Sequence, residues 1–287
     1  MPVLGIDVGG TKIAAGLVSE RAEILDSVVI PTRAGEGYQV SLGQLFAAIR
    51  ACLRPEISAI GICAPGPLNP KTGVVLNPPN LPGWRNVPLA QLVTDEYGLL
   101  CRVENDANAA GLAETRFGAA RGLASVFYVT LSTGIGTGII LDGRIYHGKN
   151  GQAGEGGHVT IDYLSAARCG CGLPGCIEAL ASGAALARRG LAPEKLAAAE
   201  AGEAGAREAL DDLALKLGAW LGGMISLLDP EIIVIGGGLS QIGEPLFARL
   251  RRIAPERSIN PFAASTPIVP AELGANVGIL GAAAVVL

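Results

Sequence analysis

Four residues that commonly bind transition metals lie close together in the middle of the sequence. Cys169, Cys171 and Cys176 fall within the segment ARCGCGLPGC, and His158 lies eleven residues before the first of them. The chain has only six cysteines and two histidines, so this concentration of soft ligands in one short stretch is informative. Three thiolates and one imidazole form a tetrahedral ligand set that is typical of structural zinc sites. We therefore predict a structural Zn²⁺ ion held by these four side chains.

Two carboxylates flank the predicted zinc site. Glu155 lies three residues before His158, and Glu178 lies two residues after Cys176. A metal ion at this position would hold both carboxylates near each other. The simpler alternatives are unpaired thiols in a glycine-rich turn and two solvated surface acids. A disulfide within the cluster is disfavoured because it would leave one thiol over.

Composition and charge exclude several classes of protein. The net charge of −4 and the isoelectric point near 5.3 offer no basic surface for nucleic acid. The first ten residues, MPVLGIDVGG, lack the cationic stretch and apolar run of a secretory signal. The most apolar segment, 217–228, is shorter than the roughly 18 residues of a membrane span. We therefore expect a cytoplasmic, reduced protein without nucleic-acid or membrane partners.

Strand and helix patterns occur in a similar order in the two halves of the chain. The first half predicts strands at 4–9, 13–18, 23–30, 59–64 and 99–104 and helices at 40–53, 88–97 and 106–117, with a long functional loop at 65–87. The second half predicts strands at 125–131, 137–141, 144–148, 231–236 and 265–271 and helices at about 183–228, 240–254 and 277–286. This order indicates an α/β protein with two βββαβαβα lobes and a cleft between them. We expect one lobe at 1–118, rejoined by 275–287, and a second lobe at 119–274 that carries the zinc motif.

Three glycine-rich turns each follow an apolar strand. Glycines at such turns allow backbone N–H groups to approach phosphate oxygens, and helix N-termini also suit anions. The predicted nucleotide contacts are Asp7, Gly9, Gly10, Thr11 and Lys12 in the first turn, Ser132, Thr133, Gly134 and Gly136 in the second, and Gly236, Gly237 and Gly238 in the third.

The chemistry of these turns restricts the type of nucleotide site. Asp7 is expected to bind Mg²⁺ through water, because Mg²⁺ gives up its hydration shell reluctantly. Lys12 is equally suited to contact phosphate or to face solvent, and a single glycine turn is also consistent with an ordinary β-turn. No turn matches a P-loop or a dinucleotide-binding fingerprint, so we expect neither a P-loop enzyme nor NAD.

Taken together, these segments resemble the ROK family of sugar kinases. The resemblance extends over essentially the whole chain, and its motifs are DVGGTK (7–12), END (104–106), STGIGTG (132–138), EGGH (155–158), CGCGLPGCIE (169–178) and GGGLS (236–240). It implies a two-lobed fold of the actin-like, ribonuclease-H-like type and ATP-dependent phosphorylation of a sugar hydroxyl, with Mg²⁺ and structural Zn²⁺. The family also implies a homodimer or homotetramer.

The resemblance assigns roles to individual residues. Asp106 takes the position of the catalytic base, although Asp is also common as a helix N-cap and one residue can do both. His158 binds zinc through one ring nitrogen and faces the sugar with the other. The implied sugar contacts are Gly66, Asn80, Asn105, Asp106, Glu155, His158 and Glu178.

The segments NLPGW (80–84) and NVPL (86–89) resemble bacterial glucokinases of this family. We therefore expect phosphorylation of the 6-hydroxyl of D-glucose, with mannose as a further substrate. The alternatives are an N-acetylmannosamine kinase, which GCIEALASG (175–183) also resembles, and a fructokinase. A sugar-sensing transcriptional regulator is disfavoured, because such members carry a helix-turn-helix region before the first turn, which here starts at residue 7.

Two further residues have less obvious roles. Thr137 occupies a position where the family frequently has Gly or Ala, so we expect it to affect nucleotide affinity. His147 has no partner in the sequence pattern, and we expect a surface role for it.

Overall fold

The structure is a computed structural model that describes residues 1–198 and 205–287. These residues form two compact units. The first unit comprises residues 1–121, 144–153 and 273–287, and the second comprises residues 122–143 and 154–272. Among the described helices, none combines the length and the apolar character that crossing a membrane requires.

The first unit contains a mixed sheet with helices. Its elements are β1 (Val3–Val8), β2 (Lys12–Val18), β3 (Ile24–Pro31), α1 (Tyr38–Cys52), β4 (Ala59–Ala64), β5 (Leu68–Asn69), β6 (Val74–Val75), α2 (Leu89–Tyr97), β7 (Leu100–Asn105) and α3 (Asp106–Phe117). The main sheet has the order β3-β2-β1-β4-β7, in which β1, β2 and β3 form the predicted antiparallel meander. Strands β4 and β7 run parallel to β1. All six residues of β4 are buried, as expected for a central parallel strand.

The segment 65–87 is folded rather than an open loop. It contains the antiparallel hairpin β5–β6. Leu81 and Trp84 are fully buried in the core of the first unit. The indole N–H of Trp84 donates a hydrogen bond to Ser41 Oγ at 2.8 Å, and its ring meets that of Tyr38 edge-on at 5.8 Å. The NLPGW segment therefore anchors this region to α1.

The second unit repeats the arrangement of strands. Its elements are β8 (Val126–Leu131), β9 (Ile135–Leu141), α4 (Ile177–Ala181), α5 (Gly183–Arg188), α6 (Pro193–Ala197), α7 (Ala206–Leu228), β11 (Ile232–Gly236), α8 (Glu244–Glu256) and β12 (Ile268–Pro270), and the short strand β10 (Arg144–Ile145) belongs to the first unit. Strands β8 and β9 are antiparallel, β11 is parallel to β8, and β12 is parallel to β11. The order β9-β8-β11-β12 in this sheet corresponds to the order β2-β1-β4-β7 in the first sheet. The predicted internal duplication is therefore present. Part of the predicted alanine-rich helical region, 199–204, lies outside the described residues.

The C-terminal helix, α9 (Val277–Ala284), packs in the first unit against β1 and α3. Two glycines in the central strands permit this close contact. A Cβ atom on Gly5 would collide with the Ile279 carbonyl oxygen, and a Cβ atom on Gly61 would collide with that of Ala282. The C-terminal residues 273–287 thus belong to the first unit.

The segment 144–153 belongs to the first unit, whereas the sequence placed it in the second. Hydrogen bonds hold it there: Lys71 Nζ donates to the Lys149 carbonyl at 3.0 Å, and Gln152 Nε2 donates to the Leu68 carbonyl at 2.7 Å. The two residues joined by each of these hydrogen bonds are 78 and 84 positions apart in the sequence. Local sequence patterns do not report contacts of this range.

Candidate active site

The four predicted metal ligands come together in the second unit. The ligand atoms of His158, Cys169, Cys171 and Cys176 all lie within 4.8 Å of one another. The Sγ atoms of Cys171 and Cys176 are 3.7 Å apart, and Cys169 Sγ is 3.3 Å from His158 Nδ1. Two sulfurs that each lie about 2.3 Å from a tetrahedral zinc ion are ~3.8 Å apart. The donor types and their spacing therefore fit zinc.

Tight turns bring these ligands together. The Cys169 amide donates to the Leu173 carbonyl at 2.9 Å, and the Gly172 amide donates to the Cys169 carbonyl at 3.0 Å. Gly175 adopts a positive φ of 69°, and a Cβ atom there would collide with the Asp162 carbonyl oxygen. Gly172 also has a positive φ, of 92°, so the geometry of the turn favours glycine at positions 172 and 175.

Glu178, in the first turn of α4, lies between the cysteine cluster and the turn after β8. Its Oε1 accepts a hydrogen bond from Cys169 Sγ at 3.3 Å and lies 4.0 Å from His158 Nδ1. Its Oε2 accepts a hydrogen bond from the Ile135 amide at 3.0 Å. Gly134 provides the space for this carboxylate, because a Cβ atom there would be 2.5 Å from Glu178 Oε2.

His158 has its two ring nitrogens in different surroundings. Nδ1 faces the cysteines, whereas Nε2 is 3.8 Å from Glu155 Oε2. Because the ring is partly exposed, Nε2 is suited to contact a bound ligand. The two ring nitrogens of His158 thus face different groups, the cysteines on one side and Glu155 on the other.

Thr137 holds the backbone on either side of Glu155. The Thr137 side chain is buried, with 2% exposure. Its hydroxyl donates a hydrogen bond to the Gly154 carbonyl and accepts one from the Gly156 amide at 2.9 Å. The expectation that Thr137 acts on the nucleotide finds no support in these contacts, which connect it to the EGGH segment instead.

The first glycine turn closes the β1–β2 hairpin. The Gly9 amide donates to the Lys12 carbonyl at 2.9 Å, and the Thr32 hydroxyl donates to the Gly9 carbonyl at 2.6 Å. The loop that carries Asn80 packs against this turn, since a Cβ atom on Gly10 would be 2.7 Å from the Asn80 carbonyl oxygen. Thr11, Lys12 and Asn80 are exposed at this edge.

Asp7 precedes the turn and is largely buried. Burial raises the pKa of the Asp7 carboxyl above its ordinary value, while a hydrogen bond from Cys63 and the positive charge of Lys12 oppose this shift. Cys63 Sγ lies 3.5 Å from Asp7 Oδ1. A nearby cation favours the charged form of such a carboxylate, so the position of Asp7 is compatible with a magnesium site.

The residues of the END motif connect β7 to α3. Asn105 is the N-cap of α3, and its Oδ1 accepts hydrogen bonds from the amides of Ala107 at 3.0 Å and Asn108 at 3.2 Å. The alternative role considered for Asp106, that of N-cap, is therefore filled by Asn105. Asp106 is the first helical residue and is exposed, and the helix dipole favours a negative charge there.

The sheet register explains how the residues of the first unit come together. Asp7 near the end of β1 pairs with Cys63 of β4, and Cys63 pairs with Glu104 of β7. Gly66 follows β4, and Asn105–Asp106 follow Glu104. Because these strands are parallel, their carboxyl ends place Asp7, Gly66 and Asp106 along one edge of the sheet.

The second and third turns meet in the same way in the second unit. Thr130 of β8 pairs with Gly236 of β11, so the turns that follow these parallel strands are neighbours. Gly237 has a φ of 86°, and a Cβ atom there would collide with the Leu131 carbonyl oxygen. The helix after the third turn, α8, begins at Glu244, four residues later than the sequence predicted.

His147 has a partner that sequence reasoning missed. Its Nε2 lies 2.6 Å from Oε2 of Glu104, whose side chain is only 3% exposed. The expected surface role without a partner is therefore wrong. The two residues are separated by 43 positions and no periodic pattern connects them, so no signal in the sequence could have identified the pair.

Comparison with known proteins identifies the family. The sequence profile described as the ROK family matches residues 3–287. The chain belongs to the ROK family. A glucokinase from Thermotoga maritima is 35% identical, with 100% of this chain and 97% of that relative covered.

Solved ROK structures agree with the fold. A ROK hexokinase from Thermus thermophilus is 37% identical, with a TM-score of 0.83, and the match covers 99% of this chain and 97% of that one. A ROK family glucokinase from Streptomyces griseus, solved in complex with glucose and AMPPNP, is 34% identical with a TM-score of 0.84, and the match covers 99% of both chains. The predicted actin-like ATPase fold is thereby confirmed.

Proposed function

We propose that this ROK-family protein transfers the γ-phosphoryl group of ATP to the 6-hydroxyl of D-glucose. The observation that carries the proposal is the position of Asp106. It lies exposed at the start of α3, next to the capping residue Asn105, in a chain that is 35% identical to a glucokinase over its full length. Mannose is proposed as a further substrate.

In the proposed mechanism Asp106 is the general base. The 6-hydroxyl oxygen of the sugar attacks the γ-phosphorus while its proton passes to the Asp106 carboxylate. The bond between the γ-phosphorus and the bridging oxygen of ADP breaks as the new bond forms. Phosphoryl transfer requires in-line positioning and neutralised charge more than covalent chemistry, so the remaining residues serve to position the reactants.

The sugar is proposed to bind through several carboxylates and amides. Carboxylate oxygens accept hydrogen bonds from neutral hydroxyls, and amides can donate as well as accept. The proposed contacts are Glu155, His158 and Glu178 in the second unit and Gly66, Asn80 and Asn105 in the first. Support comes from the local geometry within each unit, where Glu178 is oriented by the Ile135 amide and Asn80 lies against the first turn.

The nucleotide is proposed to bind at the three glycine turns. Residues Gly9 to Lys12 would contact phosphates in the first unit, and Ser132 to Gly136 together with Gly236 to Gly238 would contribute from the second. Bound Mg²⁺, held through Asp7, would neutralise phosphate charge. Each turn contributes exposed residues, namely Thr11 and Lys12, Ser132 and Thr133, and Gly237 and Gly238. Their exposure and the neighbouring positions of the last two turns support this assignment.

Zinc is proposed to be structural, held by His158, Cys169, Cys171 and Cys176. The four side chains fill a tetrahedral set and leave no position for substrate. None of the six cysteines forms a disulfide, which is consistent with thiolate ligands and with the cytoplasmic location that we propose. A homodimer or homotetramer stays a prediction from the family.

The decisive experiment is a coupled assay of ADP formation across glucose, mannose, fructose, N-acetylglucosamine and N-acetylmannosamine. We expect the highest kcat/KM with glucose, and product analysis should identify glucose 6-phosphate. A preference for N-acetylmannosamine or fructose would contradict the substrate but retain the kinase. No turnover with any sugar, together with sugar-dependent DNA binding in a gel-shift experiment, would contradict the enzyme itself.

A further inference from the structure

Glu104 is a buried carboxylate immediately before the catalytic segment. Its side chain has three hydrogen-bond partners among the residues that the structure describes. Its Oε1 accepts from the Asn105 amide at 2.9 Å and from Asn108 Nδ2 at 3.1 Å, and its Oε2 is 2.6 Å from His147 Nε2. Glu104 thus joins His147 to the turn that presents Asp106.

The contacts of Glu104 fix that turn on both sides of Asp106. Asn105 comes immediately before Asp106 and caps α3, and Asn108 lies two residues after it. The side-chain amide of Asn108 donates to Glu104, and its buried Oδ1 has no hydrogen-bond partner among the described residues. An orphaned acceptor is unfavourable in a buried site. The amide is held in this orientation by the hydrogen bond that its Nδ2 donates to the Glu104 carboxylate.

His147 supplies the hydrogen-bond donor or positive charge that offsets the cost of removing the Glu104 carboxylate from water. In the part of the chain that the structure describes, no other basic side chain forms an ion pair with Glu104. A carboxylate that is removed from water strongly requires a donor or an opposite charge. The ring N–H of His147 supplies it, and the 29% exposure of that ring leaves it in contact with solvent.

The position of His147 is itself fixed by its own segment. The Ala153 amide donates to the His147 carbonyl at 3.1 Å, and Lys149 and Gln152 bind the β5–β6 region as described above. The segment that carries the ring is therefore held in place by contacts that do not involve the His147 side chain. A substitution at 147 should change the hydrogen bond without releasing the segment.

We propose that His147 is a positioning residue for the general base Asp106 and that it acts through Glu104. This inference rests on the proposed kinase function. Without the His147 N–H, the buried carboxylate of Glu104 would turn towards water and loosen its bonds to Asn105 and Asn108. Small displacements of a reacting group lower the rate strongly, since catalysis depends on sub-ångström alignment.

The test compares four variants and one control by steady-state kinetics and thermal unfolding. His147→Phe keeps a planar ring but removes the N–H. His147→Gln retains an N–H donor at about the position of Nε2. Glu104→Gln, alone and combined with His147→Phe, removes the charge that needs the partner. Tyr146→Phe is the matched control, because Tyr146 is in the same segment and lies outside the proposed binding and catalytic groups.

We expect His147→Phe to lower kcat about tenfold while the KM for glucose and for ATP stays within about twofold. His147→Gln should recover most of the lost rate, and Tyr146→Phe should match the wild type. In the Glu104→Gln background, His147→Phe should have little further effect, because both changes act on the same hydrogen bond.

The possible outcomes separate the two hypotheses. A wild-type protein without sugar-dependent ADP formation contradicts the proposed function, and the positioning role falls with it. An active wild type whose His147→Phe variant is folded and keeps its kcat contradicts the positioning role alone. The same conclusion follows if His147→Gln is as slow as His147→Phe, or if the effects of His147→Phe and Glu104→Gln simply add.

Discussion

Replacing Gly134 by Ala tests whether the placement of Glu178 sets the affinity for sugar. The backbone of Gly134 does not have a positive φ, so the effect of the added methyl group is one of space. The new Cβ atom would lie 2.5 Å from Glu178 Oε2, whereas ordinary contacts begin at 3.4 Å. The carboxylate must therefore move by about 1 Å, and its 3.0 Å hydrogen bond from the Ile135 amide should be lost.

The expected magnitude follows from that hydrogen bond. A bond to a charged group contributes about 1.5–3 kcal/mol. If the displaced carboxylate loses a comparable bond to a sugar hydroxyl, kcat/KM for glucose should fall roughly 10- to 150-fold, at 1.4 kcal/mol for each factor of ten. Because the Glu178 side chain is flexible and can adjust, we expect a value near the lower end.

The assay is a coupled measurement of ADP formation in which glucose and ATP are varied separately. The KM for glucose should rise, whereas the KM for ATP should change less than about threefold. Gly43→Ala is the matched control, because Gly43 lies in α1 and a Cβ atom there meets nothing within 4 Å. The control should keep wild-type kinetics and gain about 0.5–1 kcal/mol of stability, as Gly→Ala in a helix commonly does.

Two results would refute this reasoning. A Gly134→Ala enzyme with an unchanged KM for glucose would show that the position of Glu178 does not determine sugar binding. A rise in the KM for ATP alone would show that the turn after β8 serves only the nucleotide.

Substitutions at three further positions test the remaining assignments. Asp106→Asn should lower kcat by about 10²- to 10⁴-fold while calorimetry still detects glucose binding, and a kcat within tenfold of the wild type would remove Asp106 as the base. Cys171→Ser should reduce bound zinc from about one ion per chain and lower the melting temperature, because metal binding contributes to folding; an unchanged metal content by elemental analysis would contradict the ligand assignment. Thr137→Val should destabilise the protein by about 1–3 kcal/mol in denaturant unfolding and raise the KM for glucose, because the backbone groups of Gly154 and Gly156 lose their partner. Thr137→Ser should restore both properties, and equal behaviour of the Val and Ser variants would argue against the hydroxyl.

Much of the secondary structure was accessible from local patterns. The predicted strand 59–64 and helix 106–117 coincide with β4 and α3, because buried strands and capped helices leave continuous signals in the sequence. Agreement is poorer where such signals are weak. The predicted strand 144–148 is reduced to Arg144–Ile145, and the predicted loop 65–87 contains a hairpin and a buried tryptophan.

The identity of the cap and of the buried partner could not be read from the sequence. Asn105 and Asp106 are both good N-cap residues, and only the backbone conformation shows that Asn105 takes the position. In the sequence, Glu104 is an ordinary polar residue at the end of a strand, whereas the tertiary structure buries its carboxylate against His147. In the sequence, Thr137 is only one residue of a glycine-rich segment. The structure shows that its hydroxyl bonds to the backbone of Gly154 and Gly156.

The sequence by itself determined the chemical resources of this protein: three cysteines and a histidine at metal-ligand spacing, three glycine turns after apolar strands, and an acidic residue at the start of a helix. These features depend on residue type and short spacing, which the order of amino acids contains directly. Tertiary structure alone decided which groups each of these side chains contacts, because the decisive contacts join positions tens of residues apart. The pairing of His147 with Glu104 and the placement of Glu178 beside Gly134 are both contacts of this kind.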